Sequence, residues 1–344
     1  MHMSDALLSP AVGGMMFAAS GAAVFIAARK INNQPKLSGD AGSLGVDRMI
    51  PMMGVSGAFV FAAQMINVAI PGTGASGHLT GGVLLAALLG PHRAFLTLAS
   101  VLLLQCLFFA DGGLLAYGCN LMNLGVLACW AAYSFVFAPI VRRGPSVKKI
   151  AAASFFASVI GLQAGSFAVV LQTYASGVAG LPLLGFAALM QPIHLAIGLF
   201  EGAVTAGLLC FVYKTKPDLL AGVSGGKTPR RLGIWARIIA LIVIFVAFGG
   251  LTFVASQRPD GLEWSLLGAI GETEPEPPEG SAAHSASEKL TEALSFMPDY
   301  ELPGGSRLSG PIAVVIGGAA LTIAAGIFGY VLRKSKASRI EKSA

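Results

Sequence analysis

The first two residues and a histidine in a glycine-rich loop carry nitrogen donors that could bind one transition-metal ion. The Met1 amine, the backbone nitrogen of His2 and the His2 imidazole can close two fused chelate rings around such an ion. The imidazole of His78, which ends the string Pro71-Gly-Thr-Gly-Ala-Ser-Gly-His78, would supply a fourth nitrogen and complete a square. Square-planar nitrogen donors suit Ni(II) or Cu(II), and imidazole is also a good ligand for Co(II). The sequence therefore predicts a metal site formed by Met1, His2 and His78.

This chelate requires a free amine on Met1. Initiator methionine is normally removed only before small residues, and His2 is not small, so we expect Met1 to be kept. The first apolar run has no basic leader and is followed by Arg29-Lys30, the reverse of the charge order in a secretory signal peptide. We therefore expect the N-terminus to survive in the mature protein.

Other polar side chains could support these ligands. Asp111, Asn120 and Asn123 lie in one short stretch, and Ser76 lies close to His78 in the glycine-rich loop. Carboxylates and amides commonly orient ligand imidazoles by hydrogen bonds. The alternative is that these side chains cap helix ends and satisfy backbone groups. The sequence leaves both roles open.

His194 and Glu201 lie seven residues apart within one apolar run, and so on one face of a helix. A carboxylate inside a membrane is costly and usually functional, so Glu201 could bind a proton or an ion, or pair with a polar neighbour in the bundle. His194 could be a further ligand. Its depth in the run, without a second donor nearby, favours a packing or hydrogen-bonding role.

The composition indicates the elements that must position these residues. Of 344 residues, 55% are hydrophobic and only 12% are charged, with a mean hydropathy of +0.73. A soluble domain carries about 25% charged residues, so we predict an all-α polytopic membrane protein. The apolar runs, counting one too short for an ordinary span, give about nine transmembrane segments. They are 11–28, 49–70, 79–89, 94–110, 119–141, 150–175, 186–213, 233–255 and 310–332.

The basic residues predict the orientation of the bundle. If 79–89 crosses the membrane, all but Arg258, Lys289 and Arg307 of the 23 Lys and Arg residues lie on one side. That side is predicted to be cytoplasmic, with the C-terminus there and the N-terminus outside. Met1 and His78 then share the outer face. The net charge of +6 follows from this bias and requires no nucleic-acid partner.

The chain changes character after residue 220, which predicts two parts, 1–220 and 221–344. The second part has two spans around an external acidic segment, 256–309, whose Glu272–Gly280 stretch is acidic and proline-rich and is predicted to be disordered or extended. The ends of this segment, Pro259-Asp-Gly-Leu-Glu-Trp264 and Met297-Pro-Asp-Tyr300, are expected to make fixed contacts at the membrane surface.

These motifs resemble a known family. The Met-His start, the loop that ends at His78 and three further strings are similar to the substrate-binding M component of cobalt and nickel energy-coupling-factor transporters, over residues 1–220. The three strings are Gly90-Pro-His92, Phe109-Ala-Asp-Gly-Gly-Leu114 and Gly118-Cys-Asn-Leu-Met-Asn-Leu-Gly125. The part from 233 onward resembles the N component, through Pro259-Asp-Gly-Leu-Glu-Trp264.

The resemblance implies a substrate-binding subunit of an ATP-driven transporter in the bacterial cytoplasmic membrane. It would capture Co(II) or Ni(II) as a transported substrate, with no permanent cofactor, through Met1, His2 and His78. The implied partners are a transmembrane coupling subunit and cytoplasmic ATPase subunits, besides membrane lipid. The sequence has no complete Gly-x-x-x-x-Gly-Lys-Ser/Thr phosphate loop and only the fragment Gly225-Gly-Lys-Thr228, so we do not expect it to be an enzyme.

Three other interpretations remain open at this stage. Ser76 and His194 on separate spans could form the dyad of an intramembrane serine protease. Glu201 and His194 could instead serve an autonomous proton-coupled cation carrier, which would transport without an ATPase. A copper site could use the methionines near the N-terminus, Met1, Met3, Met15 and Met16. The sequence does not decide between cobalt and nickel.

Overall fold

The computed structural model describes residues 1–33, 41–221, 234–278 and 280–341. The phosphate-loop fragment Gly225–Thr228 lies outside these residues. Regular structure in the described ranges is almost wholly helical, apart from a two-stranded antiparallel hairpin of β1 (Val68–Ala69) and β2 (Ser76–Gly77). The helices are α1 (Pro10–Asn32), α2 (Ala41–Gln64), α3 (Gly82–Leu89), α4 (Pro91–Phe109), α5 (Tyr117–Asn120), α6 (Ala138–Arg142), α7 (Val147–Ser176), α8 (Leu183–Thr215), α9 (Ile234–Leu251), α10 (Gly261–Ile270), α11 (Ala282–Leu294) and α12 (Ser309–Glu341).

Long apolar helices confirm the prediction of an all-α multi-pass membrane protein. Among the described residues, six helices are long and apolar enough to cross a membrane, and 10–17-residue apolar stretches occur within α2 and at the end of α9. A π-helical stretch, Leu121–Phe137, joins α5 to α6 and makes one continuous crossing element. Helix α3 has eight residues, or roughly 12 Å of helix, which is too short to span the hydrocarbon alone. The nine-segment count and the orientation therefore stay predictions.

Small residues let the central helices pack closely. Helices α7 and α8 lie against each other along much of their length, and α7 also packs on the π-helical stretch. A Cβ on Gly202 of α8 would come within 2.9 Å of the Phe155 carbonyl oxygen, and one on Gly161 of α7 would come within 3.1 Å of the Ala132 Cβ. Such close approach of backbones is the usual way in which helices associate in a membrane.

The part of the chain after residue 233 packs onto the first part. Helix α12 lies along α2, where a Cβ on Gly317 would overlap the Phe61 ring, and α9 packs on α12. Helix α10 lies against α8, and α11 lies against α4 and the N-terminal turn Asp5–Leu7. The 256–309 segment is therefore attached to the same end of the bundle as the N-terminus.

Candidate metal centre

The N-terminal segment, residues 1–8, forms a strap that is anchored in the protein. Met1 is 5% exposed, and Met3, Leu7 and Leu8 are fully buried. The Asn120 side chain pairs with both backbone groups of Met3: its Oδ1 accepts from the Met3 nitrogen at 2.7 Å, and its Nδ2 donates to the Met3 oxygen at 3.0 Å. This pair of hydrogen bonds fixes the backbone directly after His2.

Asp5 and His284 fix the next part of the strap. One Asp5 carboxylate oxygen accepts from the Ala116 nitrogen at 2.8 Å, and the other accepts from the Ser287 hydroxyl of α11. Nε2 of His284, also on α11, lies 3.0 Å from both the Asp5 and the Leu8 carbonyl oxygens. Because a carbonyl oxygen only accepts, His284 Nε2 is the donor to both.

The hairpin positions His78 beside His2. His78 follows β2, and the backbone nitrogen of Ser76 in β2 donates to the Pro259 carbonyl oxygen at 2.8 Å, which ties the hairpin to the 256–309 segment. The centroids of the His2 and His78 rings lie 5.4 Å apart. Two imidazoles in adjacent positions on one ion would have centroids roughly 4–5 Å apart, given metal–nitrogen bonds of about 2 Å. The observed separation is thus close to a shared-ion geometry.

Two carboxylates hold the predicted donor nitrogens. The Met1 amine donates to Asp260 Oδ2 in an ion pair. His2 Nδ1 lies 2.6 Å from Asp111 Oδ1, while His2 Nε2 is buried and has no hydrogen-bond partner among the described residues. The other Asp111 oxygen accepts from the Tyr300 hydroxyl, and the Tyr300 ring stacks on Phe109 at 4.7 Å. Both ends of the 256–309 segment therefore reach the site.

Burial and these contacts determine the charges at the site. Burial, together with the nearby N-terminal amine and His2, lowers the pKa of His78 to about 4, so its ring is neutral at pH 7. Burial alone would raise the pKa of Asp111, but the charge and hydrogen bond of His2 outweigh it and hold that pKa at about 2. For Asp260, the N-terminal amine likewise outweighs burial and holds the pKa well below its usual range. Both carboxylates are therefore ionised.

The structure holds these donors in an arrangement that differs from a closed chelate. In the two fused rings predicted for an N-terminal Met-His, the imidazole binds through Nδ1, the atom that here faces Asp111. The amine, which must bind as a neutral group, is paired with Asp260. Accordingly, the residues that the structure describes contain no cluster of three or more His, Cys, Asp or Glu side chains in metal-binding geometry. Binding of an ion by the predicted chelate would require both carboxylates to release their nitrogens.

The other predicted polar residues have varied roles. Asp111 bonds to the His2 imidazole, whereas Asn120, Asn123 and Ser76 bond elsewhere. Asn123 exchanges hydrogen bonds of 2.7 and 2.8 Å with Gln172, and the Ser76 hydroxyl donates to the Arg258 carbonyl oxygen at 2.7 Å. The bond from Ser76 to the backbone leaves its hydroxyl proton engaged there, so the structure gives no support to a Ser76–His194 dyad.

Glu201 and His194 lie below the site on one face of α8. Glu201 Oε1 accepts from the Thr80 hydroxyl at 2.6 Å and from the Gly81 nitrogen at 3.1 Å, so it caps the start of α3 just after His78. This arrangement agrees with the interpretation of Glu201 as a partner for polar neighbours. His194 lines a small pocket that Met1, His78 and Asp260 also line, which the sequence did not indicate.

Comparison with known proteins places the chain in a family. Residues 2–219 match the family described as the cobalt uptake substrate-specific transmembrane region, CbiM. The chain belongs to this family. Residues 233–334 match the PDGLE domain, whose name is the string that begins at Pro259.

Relatives of this CbiM-family chain include fused and separate transport proteins. A putative fused nickel transport protein NikMN of Archaeoglobus fulgidus is 29% identical over 326 residues, covering 95% of this chain and 97% of that protein. The fused nickel transport protein NikMN of Rhodobacter capsulatus is 32% identical over 259 residues and 71% of each chain. The cobalt transport protein CbiM of Geobacter sulfurreducens is 30% identical over 269 residues, covering 75% of this chain and 72% of that protein.

A solved structure shares the fold of much of this chain. A crystal structure described as a truncated transition metal transporter superposes with a TM-score of 0.51 and 28% identity. It covers 62% of this chain and 99% of that one. The fold and the membership of a transport family thus agree.

Sequence reasoning missed three residues that complete the site. Asp260 and Tyr300 lie in the two strings predicted to make fixed contacts, but their contacts with Met1 and Asp111 could not be read from the strings. His284 lies in a polar stretch with no distinctive motif. His284 and Ser287 are the buried residues of α11 and lie three residues apart on one face, but both are polar, so no hydrophobic pattern in the sequence could have identified them.

Proposed function

We propose that this chain captures Co(II) or Ni(II) at the outer face of the bacterial cytoplasmic membrane and serves as the substrate-binding component of an importer. The observation that carries this proposal is the convergence of the buried Met1 and the partly buried His2 and His78 in one place, with imidazole centroids 5.4 Å apart. The ion would be held by the amine, the His2 backbone nitrogen, His2 Nδ1 and the His78 imidazole. Four nitrogens in a plane lean towards nickel, and cobalt accepts the same donors.

Capture involves exchange of partners at each donor. The amine leaves Asp260 and loses its proton, the His2 ring turns Nδ1 away from Asp111, and the His2 amide gives up its hydrogen. His78 is already neutral and binds without losing a proton. Metal binding is therefore coupled to proton release, and both carboxylates remain beside the site as negative charges that favour a cation.

In this proposal the two parts of the chain, 1–220 and 221–344, have different roles. The first part supplies the ligands, and the 256–309 segment of the second part covers them through Asp260 and Tyr300. We propose that this segment helps to load or open the site. Deletion of 256–309, in a protein that still reaches the membrane, should abolish uptake of radioactive nickel or cobalt. Unchanged uptake would refute this role.

Release to the cytoplasm breaks a chelate and so requires energy. The sequence has no complete phosphate-loop string, so the chain itself is not expected to supply that energy by ATP hydrolysis. We propose that a transmembrane coupling subunit and a pair of cytoplasmic ATPase subunits supply it, and that the chain is a transporter subunit rather than an enzyme. The proposed orientation, with the N-terminus outside and the C-terminus in the cytoplasm, follows from the basic residues.

Metal titration of the purified full-length chain tests this proposal. The protein should carry an untouched N-terminus and a C-terminal tag without histidines. We expect one Ni(II) or Co(II) per chain by isothermal titration, with binding lost in His2→Ala and in His78→Ala. His92→Ala, in the first turn of α4, is the matched control and should bind as the wild type does. Unchanged binding in His2→Ala or His78→Ala would contradict the proposed site.

A further inference from the structure

His194 presents an unused nitrogen to the pocket that contains the N-terminal amine. The side chain is 1% exposed and lies on α8, and the pocket is also lined by Met1, His78 and Asp260. Its Nε2 is buried and has no hydrogen-bond partner among the residues that the structure describes. An unsatisfied buried acceptor is costly, so this nitrogen calls for a functional explanation.

The other ring nitrogen fixes which lone pair is free. His194 Nδ1 lies 2.8 Å from the Met190 carbonyl oxygen, one helical turn earlier. Because the carbonyl only accepts, Nδ1 carries the proton, and the lone pair of the neutral ring is on Nε2. A histidine that donates one N–H to a backbone carbonyl and turns its other nitrogen into a cavity has the usual arrangement of a metal ligand.

The glycine of the Pro259–Trp264 string covers this nitrogen. A Cβ built on Gly261 would lie 3.1 Å from His194 Nε2 and 3.0 Å from Cε1. Only a residue without a side chain lets the segment lie so close to the ring. When the 256–309 segment is docked as here, Gly261 lies over the lone pair while Asp260, its neighbour, holds the Met1 amine.

We propose that His194 is a transfer ligand for the metal, binding it through Nε2 while the chelate forms and opens. This inference rests on the proposed function. A square-planar ion exchanges its ligands by first accepting a fifth one from above or below the plane. A rigid chelate with no such ligand nearby releases its ion slowly, and a neutral imidazole in the same pocket provides one.

Detailed balance gives this role a distinctive signature. A ligand that binds only during exchange lowers the barrier for capture and release equally, so its removal slows both rates and leaves the dissociation constant unchanged. A permanent ligand behaves differently, because its loss weakens binding and speeds release. A residue that only packs would not be replaced by a small imidazole added to the solution.

The experiment uses the full-length chain with its native N-terminus and Ni(II) as the probe. Equilibrium binding is measured by titration, and capture and release are measured by stopped flow, with excess chelator for release. In His194→Ala we expect both rates to fall by about tenfold or more, with the dissociation constant unchanged and the rates restored by free imidazole. His194→Gln, which fills the space without an imidazole nitrogen, should be equally slow, and Ile197→Val, which changes the same pocket, should match the wild type.

The possible outcomes separate this inference from the proposed function. Unchanged rates in both His194 variants would overturn the transfer role, as would faster release with weaker binding or slow rates that imidazole does not restore. Absence of Ni(II) binding by the wild-type chain would instead overturn the proposed metal site, and with it the inference.

Discussion

The Met1 amine and the Asp260 carboxylate join the start of the chain to a helix cap 259 positions away. Asp260 Oδ2 accepts from the amine, while its Oδ1 accepts from the Leu262 and Glu263 nitrogens at 2.7 and 2.9 Å and so caps α10. The Glu263 side chain returns a bond to the Asp260 nitrogen at 2.8 Å, completing a capping box. One carboxylate thus fixes the start of α10 relative to the proposed metal ligand.

Replacing Asp260→Asn should separate these two roles. Asparagine caps a helix about as well as aspartate, so α10 should remain intact, while the ion pair with the amine is lost. We expect docking of the 256–309 segment to weaken by about 2 kcal/mol, a typical contribution of a hydrogen bond to a charged group. Limited proteolysis between α10 and α11 measures this as faster cleavage.

Glu263→Gln is the control for Asp260→Asn, because it alters the capping box without touching the amine. Equal proteolysis rates in Asp260→Asn and the wild type would show that the ion pair does not hold the segment in place.

His284→Ala should release α11 from the N-terminal strap. The substitution removes the donor to the Asp5 and Leu8 carbonyl oxygens. The Asp5 oxygen still accepts from the Leu8 nitrogen at 3.0 Å, so the Leu8 oxygen is the acceptor that loses its donor, which costs about 1–3 kcal/mol. We expect faster hydrogen exchange in both α11 and residues 1–8. Glu288→Ala, on the exposed face of α11, should leave exchange unchanged. Protection that persists in His284→Ala would contradict the proposed anchoring.

Acetylation of the Met1 amine should weaken metal binding. The acetyl group would convert the amine into an amide, which removes one donor and the ion pair with Asp260, and the 5% exposure of Met1 leaves little room for it. Unlike an added residue, an acetyl group brings no new terminal amine that could bind the ion in its place. We expect affinity for Ni(II) to fall by about 100-fold or more, measured by titration against the same chain with a free amine. Full affinity in the acetylated protein would exclude the amine as a ligand.

Metal affinity should fall in acid, and His78 should contribute little to that fall above about pH 5. The amine and the His2 amide release protons to bind the ion, so affinity rises with pH. Burial lowers the pKa of His78 to about 4, so protons compete for this ring only as the pH approaches that value. Dissociation constants measured across the pH range test the sign, and an affinity independent of pH would contradict a chelate that displaces protons.

Hydropathy was enough to predict the helical membrane bundle and to place Met1 and His78 at the same end of it, because span boundaries depend on composition alone. The proposed ligand set was inferred from donor chemistry at two short motifs. These features are local, and local patterns are what a single sequence expresses most directly.

Contacts between distant segments could not be predicted in the same way. The position of His194 in the pocket depends on how α8 is rotated against α7, and that rotation is determined by close contacts such as Gly202 against Phe155. The pairing of Asp260 with Met1 depends on docking of a segment whose acidic, proline-rich middle carries no packing pattern. Asn120 and Asn123 bond to the strap and to Gln172 because the buried backbone of Met3 and a buried amide needed partners.

The ion pair between Met1 and Asp260 also makes docking and loading mutually antagonistic. An amine held as an ammonium by a carboxylate has no lone pair to offer, so the docked arrangement and a nickel- or cobalt-bound amine exclude each other at that atom. By thermodynamic linkage the antagonism is reciprocal. The factor by which docking of the segment lowers the metal affinity is also the factor by which the bound ion lowers the equilibrium constant for docking. Occupancy of a site buried in the bundle would then be visible from outside, as a change in how the 256–309 segment lies.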